Sequence, residues 1–427
     1  MTKKLYIETV GCQMNMLDSE LVVANLRKDG YELTRDANQA DTILFNTCSV
    51  RQHAEDKIYS ALGRLKNAKH RNPEKVIGVL GCMAQKDQRL IFERAPYVDL
   101  VVGPGQLHQV PTLIREIEAG AEPRMEVRLG RKDGSRSQIE RSHESYDPLR
   151  DPEMRPTPYQ AYVRIVIGCD KFCTYCIVPS VRGPEQSRPP EQIVSEARQL
   201  ASEGCKEITL LGQTVNSYQH RNGKKVTRFS DLLHLLHEID GLERIKFVTN
   251  YPKDMTNDLI ECHRKVTKLM PFLHLPVQSG SNKILKSMNR KHTREEYLLT
   301  IQNLVKARSN ITFSSDFIVG YPGETERDFN DTLSLVKEVN FVNSFSFIYN
   351  PRPGTPASHL KEIDKETQKR RLTILQNLLQ DIQIKENEKK VGKIKEVLIE
   401  NKMKNQPNYF GRINNSTPAI ISNASEK

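Results

Sequence analysis

The chain is 427 residues long, carries a net charge of +11, and is 37% hydrophobic without a single tryptophan. That length leaves room for two or three domains. The longest apolar runs, such as "DTILFNTC" and "VIGVLGC", suit strands and are too short to span a membrane. The opening "MTKKLYIETVGC" enters a strand pattern without the leader of a secreted or imported protein, so a cytoplasmic protein is expected. In that compartment eight cysteines point to metal or redox chemistry rather than to a disulfide framework. The basic balance favours a polyanionic partner, most simply nucleic acid, and any base stacking would fall to Tyr, Phe, His or Arg.

The first 119 residues alternate strand and helix. "KLYIETV", "DTILFN", "KVIGVLG" and "VDLVVG" read as apolar strands, with "DSELVVANLRKDG", "QHAEDKIYSALGRLKNAKH" and "KDQRLIFERA" as helices between them. Asp18 and Ser19 offer an N-cap for the first helix, and Gly30 a stop. Such alternation predicts an open, mostly parallel α/β sheet. Residues 120–157 lose the pattern and read as a charged linker, a solvated tether whose arginines are also within the repertoire of RNA phosphate ligands. Residues 158–387 resume it. "YVRIVIG", "EITLLG", "RIKFVTN", "FLHLPV", "ITFSSDFIVG" and "SFSFIYN" alternate with helices, which predicts a partial (βα)6 barrel. A long polar helix leads into residues 388–427, where two or three short strands form a small β domain.

Two sets of cysteines stand out. Cys12, Cys48 and Cys82 each follow a strand of the first domain. They are 36 and then 34 residues apart, yet parallel strands place all their carboxyl ends on one edge, where ligands bind. A shared metal or cluster site follows from the topology; the plainer alternative is three small buried residues. Cys169, Cys173 and Cys176, in "GCDKFCTYC", follow the first barrel strand at the end where barrel active sites lie. Zinc would need a fourth ligand nearby, and none follows within a dozen residues. A four-iron cluster with one open iron suits three thiolates better. Phe172 and Tyr175 would shield such a cluster or simply pack, while Cys205 and Cys262 read as structural.

The Cys-x3-Cys-x2-Cys spacing after the first strand of a partial barrel resembles the radical S-adenosylmethionine superfamily. "TVGCQMNMLDSE", "FNTCSVRQHAEDK", "GVLGCMAQ", "GCDKFCTYCIVPSVRGPEQSR", "LLGQTVNSY", "HLPVQSGSNKILKSMNRKHT", "DFIVGYPGET" and "YNPRPGTPA" are similar to the methylthiotransferases, and best to their MiaB-type tRNA branch. The resemblance implies a methylthio group added to carbon 2 of N6-isopentenyladenosine beside the anticodon. It implies two 4Fe-4S clusters, one held by Cys169, Cys173 and Cys176 and one by Cys12, Cys48 and Cys82. S-adenosylmethionine would serve as methyl donor and as radical source, with an electron donor, a sulfur source and a tRNA as partners of a monomer. Carried over by position, Gly212, Gln213 and Asn216 would meet the cofactor's methionine part. Ile318, Gly320 and Glu324 would lie against its adenine. Arg182 and Arg188 would hold a substrate phosphate or the cofactor carboxylate; Pro184 and Thr214 depart from the pattern, which has Arg and Asn there. "KIKEVLIEN" and "NYFGRINN" resemble the first half of a TRAM domain, so an incomplete one is expected at the end of the chain. Sister branches act on threonylcarbamoyl-adenosine in tRNA or on a ribosomal-protein aspartate, and an RNA-binding iron–sulfur sensor is the non-enzymatic alternative.

Overall fold

The computed structural model describes residues 2–49, 52–130, 137 and 150–422. Two compact units emerge: residues 1–156, 166–171 and 177–192 form the first, and residues 157–165, 172–176 and 193–427 the second. Of the segment read as a linker, residues 131–149 apart from residue 137 lie outside the described residues.

The first unit is built on a six-stranded sheet. Its strands are β1 (Lys3–Val10), β2 (Tyr31–Leu33), β3 (Thr42–Thr47), β4 (Val76–Gly81), β5 (Leu100–Val102) and β6 (Arg124–Glu126). All pair in parallel, in the order β2-β1-β3-β4-β5-β6. Helices α1 (Gln13–Lys28), α2 (Gln52–Arg71), α3 (Cys82–Asp87), α4 (Arg89–Arg94) and α5 (Val110–Glu118) supply the crossovers. β3 and β4 are buried at every position, as central strands covered on both faces must be. Ile43, Phe45, Ile77 and Val79 pack with Ile58 and Leu62 of α2, each such side chain contributing about 2–3 kcal/mol of burial.

Two details differ from the sequence reading. α1 starts at Gln13, with Cys12 at its N-cap, so Asp18 and Ser19 lie inside the helix and are buried. The Asn15 side chain, at N3, accepts from the Cys12 amide, the half of a capping box that reaches back to the N-cap. Gly30, at φ +85°, does follow the helix end. Residues 124–126, read as linker, form the edge strand β6, which pairs with β5 through its backbone and has charged ends. The first unit also holds a short antiparallel pair, β8 (Val166–Ile167) with β9 (Gln186–Ser187), flanking helix α6 (Val178–Arg182).

The second unit carries six parallel strand positions in sequential order. β7 (Gln160–Arg164), β10 (Glu207–Leu211) and β13 (Arg244–Phe247) form one run. β14 (Phe272–His274) pairs with β15 (Thr312–Ser314), and β16 (Asp316–Val319) with β17 (Phe345–Ile348). Isolated bridges at Ile245–Leu269 and Gln278–Phe317 tie the runs together. β15 and β16 are one strand position interrupted at Ser315, so the six βα units of the sequence are present. The helices include α7 (Pro190–Ser202), α8 (Phe229–His237), α9 (Asn257–Lys265), α10 (Asn282–Ser287), α11 (Arg294–Ala307) and α12 (Glu326–Val339). Thr293 with Glu296 and Thr325 with Asp328 form capping boxes that fix where α11 and α12 begin. The polar helix is α13 (Lys365–Glu388), capped by Asp364. It leads to an antiparallel sheet of β18 (Val397–Lys402), β19 (Tyr409–Ile413) and β20 (Pro418–Ile421). Arg244 at the amino end of β13 bonds to the Arg412 carbonyl and pairs with Glu396, which docks this sheet on the strand starts. Among the described residues no helix is long and apolar enough to cross a membrane.

Candidate metal centre

β1, β3 and β4 are neighbours, and their registers align Val10 with Thr47 and Thr47 with Gly81. Cys12, Cys48 and Cys82 follow these strands within two residues and therefore emerge together. The Cys48 amide donates to the Val10 carbonyl at 3.0 Å. The thiols of Cys12 and Cys48 share a hydrogen bond, and Cys82 is close enough to Cys12 for each to feel the other's charge. Two glycines make the approach possible. A Cβ on Gly11 would stand 2.8 Å from the Cys48 Cβ, and one on Gly81 would stand 2.9 Å from the Thr47 carbonyl oxygen.

A polar network sets the cysteine loops. Asn15 donates to the Asn46 side chain at 3.0 Å, and Asn46 returns bonds to the Asn15 carbonyl and the Ser19 hydroxyl, all buried. The hydrogen bond with Cys48 brings the Cys12 thiol down to about 6 against the effect of burial, helped by Arg182 and by backbone donors at the start of α1. Burial pushes the Cys82 thiol up, with Arg182 opposing it. Arg182 itself is buried; its Nε donates to the Cys82 sulfur at 3.2 Å and its terminal nitrogen meets Asp18 at 2.8 Å. Against the burial that disfavours its charge, Asp18 and the cysteines hold it protonated. The sequence offered Arg182 to a phosphate or a carboxylate of a ligand, whereas here its donors face Asp18 and Cys82. Arg188 is buried too.

Among the described residues, no three Cys, His, Asp or Glu side chains are grouped tightly enough to hold one metal ion. A four-iron cube is several atoms across and spaces its thiolates more widely than a single ion does. Three sulfur donors, one with its pKa drawn down to about 6, beside a buried guanidinium, fit such a cluster better than a hard cation.

The local set is divided by the chain's course. Cys169 follows β8 in the first unit, where its amide donates to the Gly183 carbonyl at 3.2 Å. Cys173 and Cys176 belong to the second unit and are joined by a turn, the Cys176 amide donating to the Cys173 carbonyl at 3.0 Å. Thr174, between them, bonds to the Ser287 carbonyl and the Tyr321 hydroxyl, and Asn289 donates to the Phe172 carbonyl. Arg290 points NH1 at the Cys173 sulfur, 3.7 Å away, and stacks 4.5 Å from the centre of the Tyr251 ring. Phe172 sits at φ +49° and is 51% exposed, whereas Tyr175 packs with Met288, Tyr321 and Tyr349. Of the two aromatics, Tyr175 is the one placed to exclude water.

The remaining candidates lie at the carboxyl ends of β10 and β16. The Gly212 carbonyl accepts from Thr249 at 2.6 Å. Asn216 bonds both ways to the Tyr251 backbone, donating and accepting at 2.8 Å. Gln213 is half-buried, and its Oε1 has no hydrogen-bond partner among the described residues. Ile318 joins the Tyr175 cluster. The Gly320 amide donates to Glu324, whose carboxylate pairs with Arg371 at 2.7 Å, and a Cβ on Gly320 would collide with Gln368. The sequence reading passed over Arg290, Tyr251 and Arg371. "NRKHT" was part of a motif that carried the resemblance, but nothing local marks Arg290 as facing a cysteine 117 residues away.

Two families match the chain: "Uncharacterized protein family UPF0004" over residues 4–103 and the "Radical SAM superfamily" over residues 163–336. A tRNA-2-methylthio-N(6)-dimethylallyladenosine synthase of Rhodopirellula baltica is 54% identical over 94% of this chain and 84% of its own. The Pelagibacter ubique protein of the same name is 43% identical over 99% of this chain and 92% of its own. Among solved structures, the radical S-adenosylmethionine methyltransferase TsrM from Kitasatospora setae, with cobalamin and a [4Fe-4S] cluster bound, shares the fold. It does so at a TM-score of 0.61 and 13% identity, over 84% of this chain and 77% of that one. The cobalamin-dependent radical enzyme OxsB also resembles it, with a TM-score of 0.55 and 14% identity over 89% of this chain and 56% of that one. By its cysteine sets, its fold and these near-full-length identities, the chain belongs to the family of tRNA-2-methylthio-N(6)-dimethylallyladenosine synthases within the radical S-adenosylmethionine superfamily.

Proposed function

We propose that this chain adds a methylthio group to carbon 2 of N6-isopentenyladenosine next to the anticodon of tRNA, acting as a cytoplasmic monomer. The observation that carries the reading is the occurrence of two three-cysteine sets on one chain, one local and one assembled by sheet topology, in a sequence 54% identical to a synthase of that name. Cys169, Cys173 and Cys176 would hold one four-iron cluster and Cys12, Cys48 and Cys82 a second. When bound, the first supplies one-electron cleavage of S-adenosylmethionine and the second a place for the sulfur that is transferred.

The chain's own residues bind, orient and exclude water. Gln213 offers an unpaired acceptor beside Gly212, and Asn216 holds that loop to the turn at Tyr251. Ile318 would offer an apolar strand end to the adenine, while Gly320 and Glu324 fix the turn after it, the Gly320 amide bonded to Glu324 and its carbonyl to Gln368. Arg182 and Arg290 each face a cysteine sulfur, one in each set, and balance thiolate charge. Two molecules of S-adenosylmethionine, a low-potential reductant and a sulfur source complete the requirements. Mass spectrometry of tRNA nucleosides from a deletion strain tests the reading: 2-methylthio-isopentenyladenosine should vanish, leaving isopentenyladenosine. Unchanged 2-methylthio-isopentenyladenosine with loss of methylthio-aspartate from a ribosomal protein would assign the chain to that sister branch.

A further inference from the structure

Between β10 and α8 the second unit inserts a β-hairpin, β11 (Gln219–Asn222) and β12 (Lys225–Arg228). Its register, Asn222 opposite Lys225, leaves a two-residue turn that starts at Gly223 with φ +59°, the geometry of a tight, well-defined hairpin. The ten residues "QHRNGKKVTR" contain Arg221, Lys224, Lys225 and Arg228 and no acidic residue. Arg221, Lys224 and Lys225 are exposed and form no ion pair or side-chain hydrogen bond among the described residues. Some exposed cations elsewhere on this unit are paired with carboxylates, as Lys253 is with Glu296, Lys365 with Glu362 and Arg370 with Glu326, whereas the hairpin holds no carboxylate at all. A rigid element that gathers cations and omits their counterions has the composition of a phosphate-binding surface. It also lies on the working side of the barrel, since it follows the carboxyl end of β10 directly after the loop of Gly212, Gln213 and Asn216.

We propose that this hairpin grips the phosphate backbone of the RNA substrate and holds it at the carboxyl edge of the barrel. The inference rests on the tRNA reading above and adds to it the surface that bears the substrate's charge. A guanidinium and two ammonium groups neutralising phosphates release counterions, so affinity should fall steeply with salt through this element.

The test compares the parent enzyme with the triple variant Arg221→Gln, Lys224→Gln, Lys225→Gln, using tRNA that carries isopentenyladenosine. Kd should rise about ten-fold or more, and the slope of log Kd against log salt should shrink by about 2 to 3. Reductant-driven formation of 5′-deoxyadenosine without tRNA should stay at the parent rate, which shows the barrel intact. Arg221→Lys, which keeps the charge, should bind as the parent does. A triple variant with the parent's Kd and salt slope overturns the proposal, and so does hairpin-dependent binding of a ribosomal protein in place of tRNA. A parent enzyme that modifies no tRNA overturns the functional reading itself, a result separate from any effect of the hairpin.

Discussion

The Nε of Arg182 donates to the sulfur of Cys82 at 3.2 Å while a terminal nitrogen of the same guanidinium meets Asp18 at 2.8 Å, all three residues being buried. Asp18 thus aims a fixed positive charge at one member of the dispersed cysteine set. Removing Arg182 alone strips the buried Asp18 of this ion-pair partner, at a cost of about 3–5 kcal/mol. Arg182→Met should therefore unfold the first unit at a markedly lower urea concentration, and the double variant with Asp18→Asn should recover most of that loss. Iron content separates support of the fold from support of the ligand. With the two four-iron clusters proposed above, the double variant should fold yet drop from about eight irons per chain towards about four. A double variant that keeps full iron would show that Arg182 only props up the helix.

Gly11 gives a sharper probe of the same set. A methyl group there would stand 2.6 Å from Asn15 Oδ1 and 2.8 Å from the Cys48 Cβ, so Gly11→Ala must push Cys48 or the Asn15 network aside. Iron bound at the dispersed set should fall while 5′-deoxyadenosine formation persists. Gly63, exposed within α2 and with nothing within 4 Å of its added Cβ, is the control: Gly63→Ala should keep full iron and gain about 0.5–1 kcal/mol. Equal iron in the two variants would mean that the close approach at Gly11 is dispensable.

That Cys12, Cys48 and Cys82 emerge from one edge was legible because parallel strands put their carboxyl ends there, and the loops of Cys12 and Cys82 announce tight packing with Gly11 and Gly81. The six barrel strands were legible as apolar runs. What escaped has no local signal. β6 is three residues with charged ends and is defined by its partner β5. Cys12 as an N-cap was hidden because Asn15 supplies the helix-start bond from inside the helix. Arg182 reads as a holder of a ligand's phosphate or carboxylate until Asp18, 164 residues earlier, is folded against it. Long-range polar pairs are made by topology, and a single sequence does not record them.

His263 lies inside α9, 1% exposed, with neither ring nitrogen hydrogen-bonded among the described residues, and burial together with Arg308 lowers its pKa to about 3. It is neutral when folded, whereas an unfolded histidine titrates near 6.5. Between about 3 and 6.5 the unfolded chain binds the extra proton, so stability is full above that window and falls as pH drops through it, by about 1.4 kcal/mol per pH unit at most. His292, also lowered to about 3, adds a parallel contribution. His263→Leu should flatten the acid limb and be more stable than the parent at pH 5 by urea unfolding. An acid limb as steep as the parent's would remove His263 from the account.

Cys48 and Cys173 belong to different compact units, and each is backed by its own support: Gly11 and the Val10 carbonyl for one, Arg290 and the Thr174 anchors for the other. Loss of one sulfur should therefore disable one set without dismantling the other. Cys173→Ala should abolish both 5′-deoxyadenosine and methylthiolated product, if the barrel set carries cofactor cleavage as proposed. Cys48→Ala should keep 5′-deoxyadenosine formation at a rate near the parent's while product disappears, since the substitution breaks only the set proposed to bear the sulfur. Single-turnover assays with reductant, S-adenosylmethionine and isopentenylated tRNA read both quantities in one quench. If folded Cys48→Ala loses cofactor cleavage as completely as Cys173→Ala does, the two sets act as one site and the division of labour is wrong.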